Sequence, residues 1–588
     1  MRPTWYALVF AASAAIGHAA TLTDVCTTAY VQASLPADDV YQGITIDPTS
    51  VTASPVTNAS STGANFYPDA TFDYCSVGFS YSHNGRNDNV NVAYWLPTPD
   101  KFQKRYLSTG GGGYAITSGV TSRSSLPGGI IYGASAGTTD GGFGSFNTQF
   151  DAVFLLANGT IDWQAVHMFG YEAHHELTTI GKVFTKNFFG MAEDEKLYAY
   201  YQGCSEGGRE GWSQVQRFAD EWDGAITGAP AMRFSFQQVQ HLYSNVVEQT
   251  LGYYPPPCEL QKIVNETIAA CDPLDGKVDG VVARTDLCQL NFNINSTIGE
   301  PYYCAATAAR PGFKSKRQMS SPATPEQNGT VTAEGVAVAS EILKGLHDSE
   351  GRRVYLTYQP AASFADAATQ YNAETGEWEL SISGLGAEFP ARFLQLQNTS
   401  TLATLDNVTY DTLKDWMLEG WQKYEDTLQT TWPDLTPFQA AGGKVLHFHG
   451  ESDDSIPTAS SVRYYESVRQ VMYPGLSYNA SVAALDPWYR LFLVPGAGHC
   501  APSTAQPNGP FPQSNLATLI DWVERDIEPV TLNATVLAGP RKGEKGQICS
   551  WPLRPMWSLN GTLMQCEYDQ ASIDTWIYDF DAVKLPVY

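Results

Sequence analysis

Apolar and polar residues alternate in several short segments of the chain. In VNVAYWLP, the apolar residues lie at every second position from Val90 to Leu96, and KRYLST is predicted to be a strand as well. A period of two is typical of a β-strand, whose successive side chains point to opposite faces of a sheet. Further along the chain, the apolar segments LYAYYQG, DGAITGAP, KVLHFHG and WYRLFLVPG indicate buried strands.

Segments with helical spacing separate these strands. Between His174 and Phe189, apolar residues recur at intervals of three and four, and SEGGREGWSQVQRFADEW and NLATLIDWVERDI are also predicted to be helices. Strands that alternate with helices form a mostly parallel sheet that is covered on both faces. The predicted fold class is therefore α/β.

The alternating pattern is interrupted in the middle of the chain. From 232 to 440, the sequence is rich in cysteine, proline and turn-forming residues, and the α/β pattern returns only afterwards. An insertion of this length predicts a second domain, a lid over the strand ends, where ligands bind in open α/β sheets. We therefore divide the mature chain into a core, 20–231 and 441–588, and a lid, 232–440.

The N-terminal segment and the composition indicate a secreted, extracellular protein. Residues 1–19 combine an early arginine, a short apolar run and small residues, as a signal peptide does. Ten cysteines suit an oxidising compartment, and a net charge of −26 disfavours binding to nucleic acid or to an anionic membrane. Ten N-X-S/T motifs are consistent with a secreted glycoprotein. They begin at Asn58, Asn158, Asn265, Asn295, Asn328, Asn398, Asn407, Asn479, Asn533 and Asn560.

The segment Gly203-Cys204-Ser205-Glu206-Gly207 has the spacing of a nucleophile elbow. It matches G-x-S-x-G and lies between a predicted strand and a predicted helix, which is the context that this motif requires. The glycines permit the tight turn that exposes the Ser205 hydroxyl, and the Glu206 N–H would face an oxyanion. On its own, the five-residue pattern also recurs by chance in long chains.

Two later strand ends provide the acid and the base that a serine nucleophile needs. HGESDD follows the strand KVLHF and contains Asp453, and PGAGHCAP follows WYRLFL and contains His499. The order Ser, Asp, His is that of α/β hydrolases. In such a triad the imidazole accepts the serine proton and the carboxylate fixes its tautomer. Asp454 is a rival for the role of the acid because it is the next residue.

A cysteine is adjacent to the predicted nucleophile and another to the predicted base. Because Ser205 and His499 must lie within hydrogen-bond reach, Cys204 and Cys500 are expected to meet the Cα separation of a disulfide, roughly 4.4–6.8 Å. Such a bond would hold the elbow against the histidine loop.

The glycine run in STGGGGYA follows the predicted strand KRYLST. It is not a phosphate-binding P-loop, because no G-K-[ST] follows. In α/β hydrolases, a loop of this kind donates the second N–H of the oxyanion hole. Gly112 and Gly113 are both candidates for this donor.

An acidic loop is the candidate metal site. Asp272, Asp275 and Asp279 lie in DPLDGKVDG, and a hard cation such as Ca²⁺ is bound by carboxylate and carbonyl oxygens in tight loops. The spacing is not that of an EF-hand, and a solvated acidic turn is the alternative. Cys271 and Cys288 flank the loop, and we expect them to close it.

Together, GCSEGG, HGESD and GAGHC resemble the tannase and feruloyl esterase family, in which the cysteines flanking Ser and His are bonded. The resemblance covers essentially the whole mature chain, and YYPPPCEL and CDPLDGKVDGVVARTDLC resemble the tannase branch. It implies an α/β-hydrolase fold with a large inserted lid and a secreted serine esterase that hydrolyses galloyl esters of tannins. Feruloyl or other hydroxycinnamoyl esters are the alternative substrates.

The same resemblance implies further site residues. It implies a structural Ca²⁺ that also takes the carbonyl oxygens of Lys277 and Val281, and a Cys26–Cys75 disulfide. Elimination and proximity leave Cys258–Cys304 and Cys549–Cys566 as the remaining pairs.

The dibasic pair Lys316-Arg317 lies in a polar segment of the kind that proteases cut. Most dibasic pairs are simply solvated, but the resemblance favours processing. A cut there would leave two chains joined through Cys204–Cys500.

Two other classes of function fit parts of the sequence. A catalytically inactive hydrolase fold would typically lack a triad residue, and none is missing here. A secreted peptidase shares the triad, but the lid cysteines and the acidic loop favour an esterase. The expected partner is thus a polyphenolic ester, while the oligomeric state stays open.

Overall fold

The computed structural model describes residues 20–38, 40–117, 126–308 and 323–588. The predicted signal peptide, 1–19, and the dibasic pair Lys316-Arg317 lie outside the described residues. Within the described ranges, none of the helices combines the length and the apolar character needed to cross a bilayer.

A nine-stranded sheet forms the centre of the molecule. Its strands are, in chain order, β1 (Ile44–Ser61), β2 (Ala70–His83), β3 (Val90–Pro97), β4 (Arg105–Thr109), β5 (Ala134–Thr139), β6 (Tyr198–Cys204), β7 (Gly224–Gly228), β8 (Lys444–Gly450) and β9 (Tyr489–Val494). Their order across the sheet is β1-β2-β3-β5-β4-β6-β7-β8-β9. Neighbours from β5 to β9 are parallel, whereas β1, β2 and β3 pair antiparallel at one edge. The predicted α/β class is confirmed.

Helices surround this sheet. The longer ones are α1 (Ala173–Phe189), α2 (Glu206–Arg217), α3 (Pro257–Cys271), α4 (Ala333–Lys344), α5 (Tyr410–Tyr424), α6 (Ala459–Met472) and α7 (Asn515–Arg525). Shorter α-helices span Leu22–Val25, Thr28–Ser34, Leu126–Ile131, Phe150–Val153, Trp163–His167, Phe234–Gln240, Tyr243–Leu251, Thr285–Asn291, Gly384–Glu388, Thr436–Ala440, Tyr478–Leu485 and Gln570–Asp574. Met168–Glu172 and Phe389–Leu394 are π-helical, and Asp272–Asp275 and Ile294–Thr297 are 3₁₀ turns.

Short strands form small additional sheets. They span Pro301–Cys304, Gln327–Thr330, Thr369–Asn372, Glu377–Leu380, Ala497–Gly498, Ala501–Pro502, Pro510–Phe511, Thr531–Val536, Lys545–Cys549, Arg554–Ser558 and Leu563–Glu567.

The strand side chains divide between two hydrophobic cores, one on each face of the sheet. In β3, Tyr94 belongs to one core and Trp95 to the other; in β6, Tyr201 and Tyr200 divide in the same way. Helix α1 packs on β4 and β5 from the first face, and α7 packs on β7 and β8 with its leucines in the second core. Both faces are thereby removed from water, which stabilises a sheet of this kind.

Helix α2 is shorter than its sequence pattern predicts. The pattern predicts a helix as far as Trp222, but α2 ends at Arg217 and Phe218 has left the helical conformation. The Phe218 ring stacks on His175 with the ring centroids 3.7 Å apart, and Trp222 packs edge-on against Tyr201. These rings pack where the chain turns back from α2 towards β7.

The chain leaves the sheet after β7, forms the inserted segment 232–440 and re-enters the sheet as β8, the strand next to β7. β7 pairs directly with β8 in parallel, although the whole insertion lies between them in sequence. In its described residues the segment contains helices separated by turns and short strands, and its residues Phe236 and Phe389 share one hydrophobic core with the α1 side of the sheet. The proposed domain boundaries at 232 and 440 stay a prediction.

Candidate active site

The turn between β6 and α2 presents Ser205. This residue has φ 66° and ψ −128°, a backbone conformation that costs a residue with a side chain about 1–3 kcal/mol. Gly203 allows the turn to close, because a Cβ atom there would lie 2.3 Å from the carbonyl oxygen of Gly207. A strained strand-to-helix turn of this kind is a nucleophile elbow.

The structure brings Ser205, His499 and Asp453 together. His499 Nε2 lies 2.8 Å from Ser205 Oγ, and His499 Nδ1 lies 2.8 Å from Asp453 Oδ2. Ser205 and His499 are 294 residues apart in sequence. The hydroxyl is therefore positioned to give its proton to Nε2 while the carboxylate holds the Nδ1 proton.

Asp453 is completely buried and heavily hydrogen-bonded. Besides His499, it accepts backbone N–H bonds from Ser455 and Ile456, and His449 Nε2 lies 3.1 Å from its Oδ2. Burial acts to raise the pKa of Asp453, but the charge of His499 and the bonds from both histidines outweigh it and hold the pKa below its usual value. Sequence reasoning missed His449, whose only signal is its position four residues before Asp453.

The pKa of His499 is shifted in the opposite direction, to a higher value. Burial acts to lower the pKa of its imidazole, but the charge and the hydrogen bond of Asp453, together with the charge of Asp454, raise the pKa above its usual value. The imidazolium that forms during proton transfer is thereby stabilised.

The rival carboxylate Asp454 is hydrogen-bonded to the insertion. Its Oδ2 accepts a hydrogen bond from the Ser363 hydroxyl in the insertion. Burial raises its pKa, and the charge of Asp453 adds to the increase. Gln237, also from the insertion, donates to the carbonyl oxygen of Ser455 at 2.7 Å. Inserted residues thus brace the loop that carries the triad acid.

A disulfide joins the residues next to the nucleophile and the base. Cys204 and Cys500 are bonded, with their Cα atoms 6.1 Å apart and a sequence separation of 296. This bond connects the end of β6 to the loop after β9, so it fixes the separation of the two triad loops. The structure also forms the other four pairs named from the sequence: Cys26–Cys75, Cys258–Cys304, Cys271–Cys288 and Cys549–Cys566.

The glycine loop after β4 lies against the N-terminus of α2. Glu206 is the first residue of α2, so its N–H is one of those without an acceptor inside the helix. Gly112 donates its N–H to the carbonyl oxygen of Ala115 at 3.0 Å. Gly113 has φ 64°, in the left-handed region that glycine adopts readily. Of the two candidate glycines, Gly112 is therefore engaged within its own loop.

Glu210 ties this loop to the nucleophile helix. Its side chain is fully buried, and Oε2 accepts the N–H of Gly111 at 2.9 Å and the hydroxyl of Tyr201 at 3.2 Å. His174 Nε2 lies 3.1 Å from the same oxygen. The link to the glycine loop spans 99 residues of sequence, so no local motif could have revealed Glu210.

The acidic loop lies behind the triad acid rather than beside the nucleophile. Val282 donates its N–H to Gln506 at 2.7 Å, and Gln506 donates to Ser452, the neighbour of Asp453, at 2.6 Å. Thr285 donates to Glu451 at 2.7 Å. The loop is therefore coupled to the strand end that carries Asp453, but it does not reach Ser205 directly.

The donors of the acidic loop fit a hard cation chemically. Asp272 and Asp275 are buried, and burial raises the pKa of Asp275 to about 7, with the charges of Asp279 and Asp272 adding to the increase. Asp272 accepts the N–H groups of Asp279, Gly280 and Val281, and Asp275 accepts that of Lys277, while a cation would further stabilise their buried charge. The Asp279 carboxylate, however, pairs with the ammonium group of Lys277 at 2.9 Å, so the three aspartates do not all converge on one point.

A family model described as "Tannase and feruloyl esterase" matches residues 75–571. A tannase of Aspergillus oryzae is 52% identical over 593 residues, which cover 99% of each chain. A probable feruloyl esterase of Arthroderma benhamiae is 29% identical over 83% of this chain and 84% of its own. Among solved structures, "Tannin acyl hydrolase from Aspergillus niger" is 62% identical and superposes with a TM-score of 0.92 over 97% of this chain and 99% of its own.

Proposed function

The chain belongs to the tannase and feruloyl esterase family, and from that premise we propose that it hydrolyses galloyl esters of hydrolysable tannins and releases gallic acid. It is a carboxylic ester hydrolase with an α/β-hydrolase fold. The observation that carries the proposal is the chain of two 2.8 Å contacts that joins Ser205, His499 and Asp453.

Catalysis begins with nucleophilic attack. Ser205 Oγ adds to the ester carbonyl carbon while His499 Nε2 accepts the hydroxyl proton, and Asp453 stabilises the imidazolium. The developing oxyanion is held by the N–H of Glu206 and, since the Gly112 N–H is engaged, by that of Gly113. We assign Gly113 as the second donor.

The acyl group is then released in two steps. The tetrahedral intermediate collapses, and the leaving alcohol or phenol takes the proton from His499, which leaves a galloyl ester on Ser205. Water attacks this acyl-enzyme with His499 as general base, and the acid departs as Ser205 Oγ recovers its proton.

The galloyl preference is supported by the identities of the relatives. The two relatives named as a tannase and a tannin acyl hydrolase are 52% and 62% identical to this chain, whereas the probable feruloyl esterase is 29% identical. Feruloyl or hydroxycinnamoyl esters are the second candidate substrates, because the family model covers both activities.

A panel of substrates tests the proposal. The wild type is expected to hydrolyse methyl gallate with a kcat/KM at least about tenfold above that for methyl ferulate, and to leave a chromogenic peptide intact. Ser205→Ala is expected to abolish turnover of both esters without loss of the folded state, which circular dichroism would verify. A higher kcat/KM for methyl ferulate would reassign the substrate class, and peptide cleavage would refute the esterase assignment.

The acidic loop is proposed to bind a structural Ca²⁺. The carboxylates of Asp272, Asp275 and Asp279 and the carbonyl oxygens of Lys277 and Val281 would hold it, and the ion would neutralise buried negative charge. The support is the burial of Asp272 and Asp275 and the raised pKa of Asp275. Because the loop contacts the strand end of Asp453 through Gln506 and Thr285, its order would stabilise the acid loop.

Removal of calcium tests this site. A chelator with a preference for Ca²⁺ is expected to lower the melting temperature of the wild type by several degrees, in line with the loss of a ligand bound only by the folded state. Even without chelator, Asp275→Asn is expected to melt at about the temperature of the chelator-treated wild type. Adding the chelator should then change its melting temperature little. Equal responses of the wild type and the variant would refute the assignment.

The protein is also proposed to be secreted and glycosylated. The side chains of all ten motif asparagines are exposed, and the cysteines form five disulfides in the structure, which suits an oxidising compartment. The expected result is a loss of mass when the protein from culture medium is treated with a peptide N-glycosidase. An unchanged mass would contradict the proposal of N-glycans.

A further inference from the structure

A second group of potential metal ligands lies away from both the triad and the acidic loop. Atoms of His83, Glu172 and Glu176 that could bind a metal all lie within 4.8 Å of one another. His83 is the last residue of β2, and Glu172 and Glu176 lie where a π-helical turn passes into α1. Since β2 is four strands away from β6 in the sheet, this cluster does not belong to the esterase machinery.

The three side chains have the chemistry of a metal site. Glu172 and Glu176 are four residues apart, so they project from the same side of the helix. His83 and Glu176 are buried, whereas Glu172 is partly exposed and gives access from solvent. An imidazole nitrogen and two carboxylates form a donor set that suits borderline divalent ions such as Zn²⁺.

The distance between His83 and Glu176 requires only a small adjustment for a shared metal ion. His83 Nε2 and Glu176 Oε1 are 2.8 Å apart, whereas two ligands of a tetrahedral Zn²⁺ lie about 3.3 Å apart when each bond is about 2.0–2.1 Å long. The pair must therefore open by roughly half an ångström.

Each of the three groups also has an outer partner that orients it. Asp88 Oδ2 lies 2.6 Å from His83 Nδ1, which directs Nε2 towards the two glutamates. Tyr81 donates its hydroxyl to Glu176 at 2.5 Å, and Gln164 donates an amide proton to Glu172 at 3.1 Å. A carboxylate behind a ligating histidine and hydrogen bonds to ligating carboxylates are what metal sites use to fix their ligands.

We propose that His83, Glu172 and Glu176 bind a divalent transition-metal ion of the Zn²⁺ type, with solvent at the remaining position. The ion would tie the end of β2 to the start of α1 and would neutralise two glutamates that lie close together. Its role is structural, because no group of the triad lies in the cluster. It is distinct from the Ca²⁺ site, whose donors are all oxygen atoms.

The test uses untagged, full-length protein, so that no affinity tag binds the metal. After treatment with a chelator and removal of the chelator, the protein is titrated with Zn²⁺ in a calorimeter in the presence of Ca²⁺. The wild type is expected to take up one equivalent. Glu172→Gln keeps the shape of a partly exposed side chain and is expected to weaken binding by about tenfold or more.

Two control variants separate this site from others. Glu221→Gln removes a negative charge that pairs with His175 of α1 at 3.0 Å, outside the cluster, and is expected to leave the Zn²⁺ affinity unchanged. Asp275→Asn, in the acidic loop, is also expected to leave it unchanged. Ester hydrolysis by Glu172→Gln should equal that of the wild type, which checks that the variant is folded.

Two results would overturn the proposal: no uptake of Zn²⁺ by the wild type, or equal affinities of the wild type and Glu172→Gln. The second result would mean that the cluster is only a network of ion pairs around His83. Should Glu172→Gln fail to fold, Asp88→Asn serves instead, because it removes the carboxylate behind His83 and is expected to weaken binding by about tenfold. An unchanged affinity of that variant would equally refute the site.

Discussion

Single residues divide into those that sequence motifs reveal and those that only contacts reveal. Ser205, Asp453 and His499 could be predicted because each lies in a short motif at a strand end. The sequence left Asp454 as a rival of Asp453, and contacts decide between them, because Asp453 lies against His499 whereas Asp454 accepts a hydrogen bond from Ser363. His449 and Glu210 were missed because only their contacts reveal them.

Replacement of the two neighbouring aspartates separates their roles. Asp453→Asn is expected to lower kcat by about 10³–10⁴-fold, because the imidazole loses the group that fixes its tautomer. Asp454→Asn is expected to keep kcat within about tenfold of the wild type. Steady-state kinetics with methyl gallate would measure both, and equal losses in the two variants would contradict the assignment.

The two aspartates also predict how kcat/KM depends on pH. His499 acts as a base only when neutral, and the charges of Asp453 and Asp454 raise its pKa above the usual value. Removing the charge of Asp454 makes the imidazolium easier to deprotonate, so the acid limb of the kcat/KM profile of Asp454→Asn should move to lower pH. A shift to higher pH would contradict this electrostatic account.

Glu210 is expected to act as a positioning residue for the oxyanion loop. Glu210→Gln replaces the charged acceptor of the Gly111 N–H and the Tyr201 hydroxyl with a weaker, neutral one, so kcat is expected to fall by about 10–100-fold while KM changes little. Glu248→Gln is a matched control, because burial raises the pKa of Glu248 to about 8 and its carboxyl is already largely neutral at pH 7. A parallel rise in KM, or an equal loss in the control, would show that Glu210 is only structural.

At the scale of elements, strong alternation or apolar runs identified β3, β4 and β6 to β9. The strand β1 was missed because most of its residues face solvent. The strand β2 was missed although Cys75, Val77, Phe79 and Tyr81 alternate along it and belong to one hydrophobic core. β5 was missed because its sequence ASAGTT is made of small residues; a Cβ at Gly137 would lie 2.8 Å from the ring of Tyr94. The boundaries of the insertion stay a prediction, and its residues Phe236 and Phe389 pack in the core that the insertion shares with the sheet.

The Cys204–Cys500 bond is expected to support catalysis as well as stability. Replacing both cysteines with serine should lower the free energy of unfolding by about 2–5 kcal/mol and also reduce kcat, because the bond fixes the distance between the elbow and the histidine loop. The Cys549–Cys566 bond joins two other strands and neither cysteine adjoins a triad residue, so its removal should cost stability with kcat retained. Urea unfolding and kinetics on both double variants measure the two effects, and an unchanged kcat in the first variant would contradict the expected role.

At the scale of the whole molecule, the disulfide pattern determines what a cut at Lys316-Arg317 would do. Cys204–Cys500 is the one pair of the five that bridges the two sides of this position. The protein from culture medium is therefore expected to run as one band without reductant and as two bands with it. A single band in both conditions would contradict processing, and two bands without reductant would contradict the bridging role of the disulfide.

The most direct test of the central claim is to identify the residue that an organophosphorus esterase inhibitor modifies. After inactivation of the wild type with a fluorophosphonate, peptide mass spectrometry is predicted to find one adduct, on Ser205, in proportion to the loss of methyl gallate hydrolysis. Ser205→Ala is predicted to carry no adduct and to have no turnover. Inactivation with the label on another residue, or hydrolysis by Ser205→Ala at the wild-type rate, would contradict the proposed nucleophile.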